Sequence, residues 1–328
     1  MIRNRRLAMK KGGIPILTIL FLCLFLAACQ EPSQRPLKVA TSLWPGYEPL
    51  YLARYLDVFH TDIEVVQLGS ASDVLRAFRN GSVEVAAMTL DEALMLAANG
   101  EPLTVLMALD FSNGADVVMV WPDIKSLADL KSRRVGIEST VLGAMFLTAA
   151  LEEAGLTLND VQLVNLPQDQ HYDALLQHQV DAIVTFEPVR TRLRNAGAAI
   201  LFDSSAVPEL IVDVLVVHRN AIEERDVQLQ DLVRGYYEAR SYMVTHPAEA
   251  HAYIARRQQL TPLELQQAYT GLRLPSLNDN IRWISGSPSP FQAQAQHLYQ
   301  QMSERKLVQN GAVPDIQALS RWLEGVRP

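Results

Sequence analysis

Between residues 37 and 109, short β-type runs alternate with single helical segments, and few architectures accommodate that pattern. The β-type runs fall at 37–41, 63–68, 83–88 and 103–109, with helical periodicity at 49–56, 72–78 and 91–98. Strands separated by one helix each predict a parallel sheet with crossover helices on its faces. A second series begins after Asn113-Gly114, with β-type runs at 117–121, 134–137, 161–166, 182–186 and 199–202 and helices at 142–154 and 172–177. A long apolar run at 210–217 then leads into a tail, 221–326, that reads as almost wholly helical. That tail is too rich in Gln, Glu and Arg to form a core alone, so its apolar faces are expected to cover earlier elements. The fold class predicted is α/β in two lobes, each a mainly parallel sheet flanked by helices. Residues 37–112 with 214–328 make lobe 1, and 113–213 are inserted as lobe 2.

The amino terminus reads as an address. Arg3, Arg5, Arg6, Lys10 and Lys11 precede an apolar run from Ile14 to Leu26, broken by Pro15 and Thr18. Thirteen helical residues rise about 20 Å, short of a hydrocarbon core of about 30 Å. A basic segment, a short apolar core and small residues form an export signal. The ending Leu26-Ala27-Ala28-Cys29 resembles a bacterial lipobox, which implies cleavage before Cys29 and a lipid on its sulfur. Residues 1–28 are then a lipoprotein signal peptide and 29–36 a lipidated, proline-bearing tether. The localisation expected is the periplasm, anchored to a membrane through Cys29. Gln30 leaves inner and outer membrane open.

Composition removes several functions. The chain has 328 residues, 29 basic and 36 acidic, and without the first 28 residues 24 basic groups face 36 acidic ones. Such a surface repels a phosphate backbone, so no nucleic-acid partner is expected. Cys23 and Cys29 are the only cysteines, and neither remains as a free thiol in the processed chain, which excludes cysteine catalysis. No G-x-G, G-x-S-x-G, H-E-x-x-H or phosphate-loop motif occurs, and no cofactor or metal site is expected. Arg190, Arg192 and Arg194 read as a solvated helix face.

In open α/β sheets, ligands sit beyond the carboxyl ends of the strands, where helix N-termini offer N–H groups. The residues at those points supply the candidate ligand-binding set: Trp44 and Tyr47, Ser70 and Ser72, Thr89 and Asp91, Asp110, Ser139, Thr140 and Val141, Glu187 and Asp213. Each has a purely structural reading as well. Ser72 and Thr140 could be helix N-caps, Trp44 a core side chain, Glu187 a surface group. Asp213 interrupts the apolar run Ile211-Val212-Asp213-Val214-Leu215, which demands a partner or a cleft.

Several segments carry a family resemblance: 44–53 (Trp-Pro-Gly-Tyr-Glu-Pro-Leu-Tyr-Leu-Ala), Gly69-Ser70, 81–86, 123–131, 134–138, 180–182 and Phe186-Glu187-Pro188. Over most of 37–220 the chain resembles the substrate-binding proteins of nitrate, sulfonate, taurine and pyrimidine-precursor ABC transporters, the group with the SsuA/THI5-like domain. The resemblance implies a two-lobed periplasmic-binding-protein fold of type II, which closes on a small solute and delivers it to a membrane permease. A monomer without enzymatic activity is expected. Two rivals stand beside it, a receptor that reports its ligand to a membrane sensor, and an enzyme of pyrimidine-precursor synthesis. For the solute, hydroxyls and helix N-termini suit an anion, whereas Asp91, Asp110, Glu187 and Asp213 favour an added amine. The order expected is taurine-like sulfonates, then nitrate, then aminopyrimidines.

Overall fold

The computed structural model describes residues 35–309 and 311–326. The signal segment and Cys29 lie outside the described residues. Within them no helix is long and apolar enough to cross a membrane.

Three buried runs, β1 (Leu37–Thr41), β2 (Ile63–Gln67) and β3 (Val85–Thr89), pair in parallel with β1 in the middle, so that Val39 meets Val65 on one side and Val85 on the other. The crossovers are α1 (Glu48–Tyr55) and α2 (Ala71–Arg79), and α3 (Leu90–Ala98) follows β3. All ten residues of β4 (Leu103–Ser112) are buried. The chain then enters a second sheet, built from β5 (Asp116–Val120), β6 (Arg134–Ile137), β7 (Gln162–Asn165), β8 (Ala182–Phe186) and β9 (Ala199–Asp203) in the order β7-β6-β8-β5-β9. Helices α4 (Val141–Glu152), α5 (His171–Leu176) and α6 (Val189–Asn195) accompany it. β10 (Val212–His218) brings the chain back between β3 and β4, antiparallel to both.

Both sheets are therefore mixed. Most parallel pairs join strands linked through crossover helices, β1 with β2 and β3 and β6 with β7 and β8, while the antiparallel ones involve β4, β5 and β10, the strands that carry the chain out and back. A chain that leaves along β4 and returns along its neighbour must reverse direction. The two passages are bonded to each other: Ser112 Oγ lies 2.8 Å from Ser204 Oγ, which also accepts from Gly114 N at 2.6 Å. Gly114 has φ +109°, a conformation that other residues rarely adopt.

The tail comprises α7 (Ile222–Thr245), α8 (Pro247–Gln258), α9 (Pro262–Tyr269), α10 (Leu277–Ile284), α11 (Pro290–Glu304) and α12 (Arg321–Glu324). Leu229, Leu232, Val233 and Tyr236 of α7 are buried in the main core, as an amphipathic covering helix requires. Two strands interrupt the helices, β11 (Leu272–Arg273) and β12 (Gln317–Ala318), and both pair with β4. They cover hydrogen-bonding groups along the edge of β4 that β10 leaves unpaired.

Candidate ligand-binding site

The loop after β1 is shaped by two carboxyl groups. Trp44 Nε1 donates to Asp110 Oδ2 at 2.9 Å, and the Tyr47 hydroxyl donates to Asp213. Between these aromatics Gly46 lies so close to Asp110 that a Cβ would stand 1.8 Å from its Oδ2. The Tyr269 hydroxyl holds the Pro45 carbonyl at 3.0 Å from behind. The indole of Trp44 is thus fixed, 5% exposed, and stands nearly perpendicular to Phe186 at the end of β8 (centroids 5.7 Å apart, planes at 82°).

Opposite this loop stands the turn after β6. Thr140 caps α4, its Oγ1 accepting from Gly143 N at 3.1 Å. Gly143 packs against the Glu138 carbonyl so tightly that a Cβ would lie 2.4 Å from it. Glu138 Oε1 accepts from Ser72 N of α2 at 2.7 Å, which ties the two sheets together. Gln168 makes a second tie, donating to the Leu43 carbonyl at 2.6 Å.

These parts surround a cavity of about 50 Å³ bordered by Trp44, Tyr47, Phe146 and Phe186 and by the carboxyl groups of Glu92, Asp116, Glu138 and Asp213. No Lys or Arg is among its lining residues. Burial sets the proton affinities. Burial, then the neighbouring Asp91 charge, push Glu92 up to about 8, and burial pushes Asp116 to about 7. Burial, reinforced by Asp110, raises Asp213 well above the usual carboxylate range. Glu92 Oε1, Asp116 Oδ2 and Glu138 Oε2 are buried without a hydrogen-bond partner. His171 also borders the space. Burial lowers its pKa to about 4, and both ring nitrogens are engaged, with Thr185 Oγ1 and the Leu166 carbonyl at 3.1 Å each.

Of the residues expected from sequence, Trp44, Tyr47, Thr89, Thr140 and Asp213 border the cavity. The others lie outside its lining, for identifiable reasons. Asp110 is the buried support of Trp44. Asp91, buried in the first turn of α3, acts on Glu92 and Asp116 through its charge. Ser70, not Ser72, caps α2, accepting from Asp73 N at 3.1 Å, and Ser72 gives its N–H to Glu138. Ser139 donates its N–H to Asn165, and Val141 packs into the core. Glu187 is fully buried, its oxygens taken by Arg190 Nη1 at 2.7 Å and by Thr191 N and Oγ1. Arg190 is correspondingly a half-buried ion-pair partner instead of a solvated charge, with 16% of its side chain exposed. Glu92, Asp116 and His171 were not singled out from sequence. In the structure Glu92 closes the capping box of α3 with Thr89, and Asp116 is the first residue of β5.

A family model described as NMT1/THI5 like matches residues 44–250, a span that includes the Trp44 loop, the Glu138 turn and β10. The chain belongs to the NMT1/THI5-like family. The family's relatives differ in what their names say. A Haemophilus influenzae protein named "Putative thiamine biosynthesis protein" is 29% identical over 289 residues, 85% of this chain and 87% of the relative. The taurine-binding periplasmic protein of Escherichia coli is 21% identical over 181 residues, about half of each chain (54% and 56%). Among solved structures, the alkanesulfonate-binding protein SsuA from Xanthomonas axonopodis pv. citri, bound to MOPS, superposes with a TM-score of 0.70 at 17% identity, covering 89% of this chain and 100% of that one. That likeness establishes the periplasmic-binding-protein fold for this member of the NMT1/THI5-like family.

Proposed function

We propose that this NMT1/THI5-like protein is a periplasmic solute-binding lipoprotein of an ABC importer, and that its solute is a small heteroaromatic amine of the aminopyrimidine class. In this reading residues 37–112 with 214–328 and residues 113–213 are two lobes that close over the solute and deliver it to a permease, and Cys29 carries the anchoring lipid. The observation that carries the ligand class is the lining: four carboxyl groups and four aromatic rings with no Lys or Arg among them. A bare sulfonate or nitrate would meet carboxylates where it needs donors. An aminopyrimidine presents N–H donors beside ring-nitrogen acceptors on a flat apolar body. Carboxyl groups that titrate near 7 or 8 serve either partner, accepting when ionised and donating when protonated. The order of solutes expected from sequence is therefore reversed in this proposal. The thiamine-related name of the Haemophilus relative points the same way, since thiamine contains an aminopyrimidine.

Binding without chemistry is part of the proposal. The histidine at the cavity has both ring nitrogens occupied, which leaves no free nitrogen to act as a base. The test is a thermal-shift titration of the protein with the aminopyrimidine half of thiamine, thiamine, taurine, methanesulfonate and nitrate. A ligand at about 100 times its Kd adds about 2.7 kcal/mol of stability, a shift of several degrees. Stabilisation by the aminopyrimidine and by thiamine, which contains it, but not by taurine, methanesulfonate or nitrate, is the expected result. Stabilisation by a sulfonate and not by the amine would overturn the assignment.

A further inference from the structure

Glu138 belongs to both sides of the cleft. It follows β6 on the five-stranded sheet, yet its Oε1 accepts from Ser72 N, 2.7 Å away, in the first turn of α2 on the seven-stranded sheet. Its Oε2 has no hydrogen-bond partner, although the residue is only 5% exposed and borders the cavity. A contact that holds the two sheets together thus ends in an unsatisfied oxygen beside the solute space.

We propose that Glu138 is the latch that couples solute recognition to closure, an inference that rests on the binding reading above. With the lobes apart, water solvates both carboxylate oxygens. Closing exchanges the water on Oε1 for the Ser72 N–H, where the positive end of the α2 dipole favours an anion. Oε2 loses its water and gains nothing, and a buried charged acceptor without a donor opposes closure. A solute carrying an amine or ring N–H supplies the missing donor. Closure is then favoured with that solute and disfavoured without it, which is the differential interaction a population shift requires. An anionic solute leaves Oε2 unsatisfied and adds repulsion. Of the other ties between the two parts of the chain, Gln168 to Leu43 and Trp44 against Phe186 involve uncharged groups, while the Arg305–Glu152 pair and the Asn195–Glu264 bond join residues that do not line the cavity, so none shares this dependence on the charge of the solute.

Two substitutions separate the latch from simple solute contact. Ser72→Pro removes the N–H that Oε1 accepts, and proline is tolerated in a first helical turn; Pro49 already occupies the same second position of α1. Glu138→Gln keeps an acceptor for Ser72 but removes the charge beside the cavity. Full-length wild type and both variants are titrated calorimetrically with the aminopyrimidine half of thiamine, and small-angle X-ray scattering follows their compaction. Wild type is expected to contract on adding the probe. Ser72→Pro is expected to contract less and bind about tenfold or more weakly, since a hydrogen bond to a charged group is lost. Glu138→Gln is expected to be partly contracted before any probe is added and to gain little further on binding. Probe-induced contraction and affinity in Ser72→Pro equal to wild type would overturn the latch. Should Ser72→Pro fail to fold, Glu138→Gln decides: a variant that contracts only with probe, at wild-type affinity, overturns it equally. Failure of wild type to bind the amine rejects the binding reading itself, a result distinguishable from wild-type binding with unaltered variants.

Discussion

Asp213 stands directly across from Asp110 in the β10–β4 ladder, and each carboxyl group holds one aromatic of the same loop. Asp110 supports Trp44 and Asp213 supports Tyr47, so two strand positions place two walls of the cavity. Buried like-charged neighbours cannot both ionise readily, and burial, reinforced by the Asp110 charge, raises Asp213 well above the ordinary carboxylate range, which favours its protonated form. Asp213→Asn imitates that protonated acid, with an oxygen for the Tyr47 hydroxyl and an N–H for Asp110. It should unfold in urea within about 1 kcal/mol of wild type, whereas Asp213→Ala, which strands Tyr47 and Asp110, should cost about 1–3 kcal/mol more. Equal midpoints and slopes for the two variants would show that the pair does not support the loop.

Gly46 is required by packing, not by backbone conformation. An alanine Cβ would lie 1.8 Å from Asp110 Oδ2 and 2.7 Å from Trp44 Nε1, closer than any real contact. Gly46→Ala must therefore break the Trp44–Asp110 bond and move the indole. Overpacking of this kind costs about 1–3 kcal/mol. The expected signature is a lower melting temperature with a changed tryptophan emission maximum, and solute affinity reduced by about tenfold or more. Unchanged emission and affinity would place Trp44 outside the recognition surface.

The sheets were legible in the sequence because their strands are short, apolar-rich segments punctuated by helices, some with four or more apolar residues in succession, as in β3, β4 and β10. β11 and β12 were not, since two residues such as Leu272-Arg273 carry no period and pair only because β4 offers them an edge. The rule that ligands lie beyond strand ends brought out Trp44, Tyr47, Thr89, Thr140 and Asp213, all on the cavity. It says nothing about side-chain reach, so it also gathered Ser70 and Glu187, whose oxygens are consumed by their own helices. Glu92 escaped because its capping-box bond to Thr89 N, at 3.2 Å, uses one oxygen and leaves the other beside the cavity. A periodicity argument sees the first oxygen and not the second.

Glu187 offers a contrast between stability and recognition. It is fully buried and bonded to Arg190 and to both the N–H and hydroxyl of Thr191, within its own helix start. Removing one partner of a buried ion pair costs about 3–5 kcal/mol. Glu187→Ala should lose stability on that scale in chemical denaturation. Because the residue does not border the cavity, the aminopyrimidine Kd of the folded variant should stay within about threefold of wild type. A large affinity loss with little loss of stability would instead make Glu187 a ligand contact.

The acidic cavity also fixes the sign of a pH effect. A carboxyl group raised by burial favours the protonated folded form. Its contribution is fully present below the ordinary carboxylate pKa and is lost as pH rises through the folded value. For Asp116 that window runs from the ordinary value of 3.8 to about 7, and for Glu92 from 4.5 to about 8. His171, lowered to about 4, works in the opposite direction from 6.5 downward, so the clean comparison is between variants. Asp116→Asn, which never ionises, should match wild type near pH 4 and melt a few degrees higher at pH 8. Solute binding should run the other way in wild type: acidification from pH 8 to 5 protonates the carboxylates and weakens affinity for a permanently charged cation such as thiamine, whose thiazolium ring keeps its charge at every pH. Melting curves across this range, with and without thiamine, should therefore converge at low pH and diverge at high pH. Curves that stay parallel would mean that Glu92 and Asp116 keep one charge state throughout and do not contribute the charge that selects the solute.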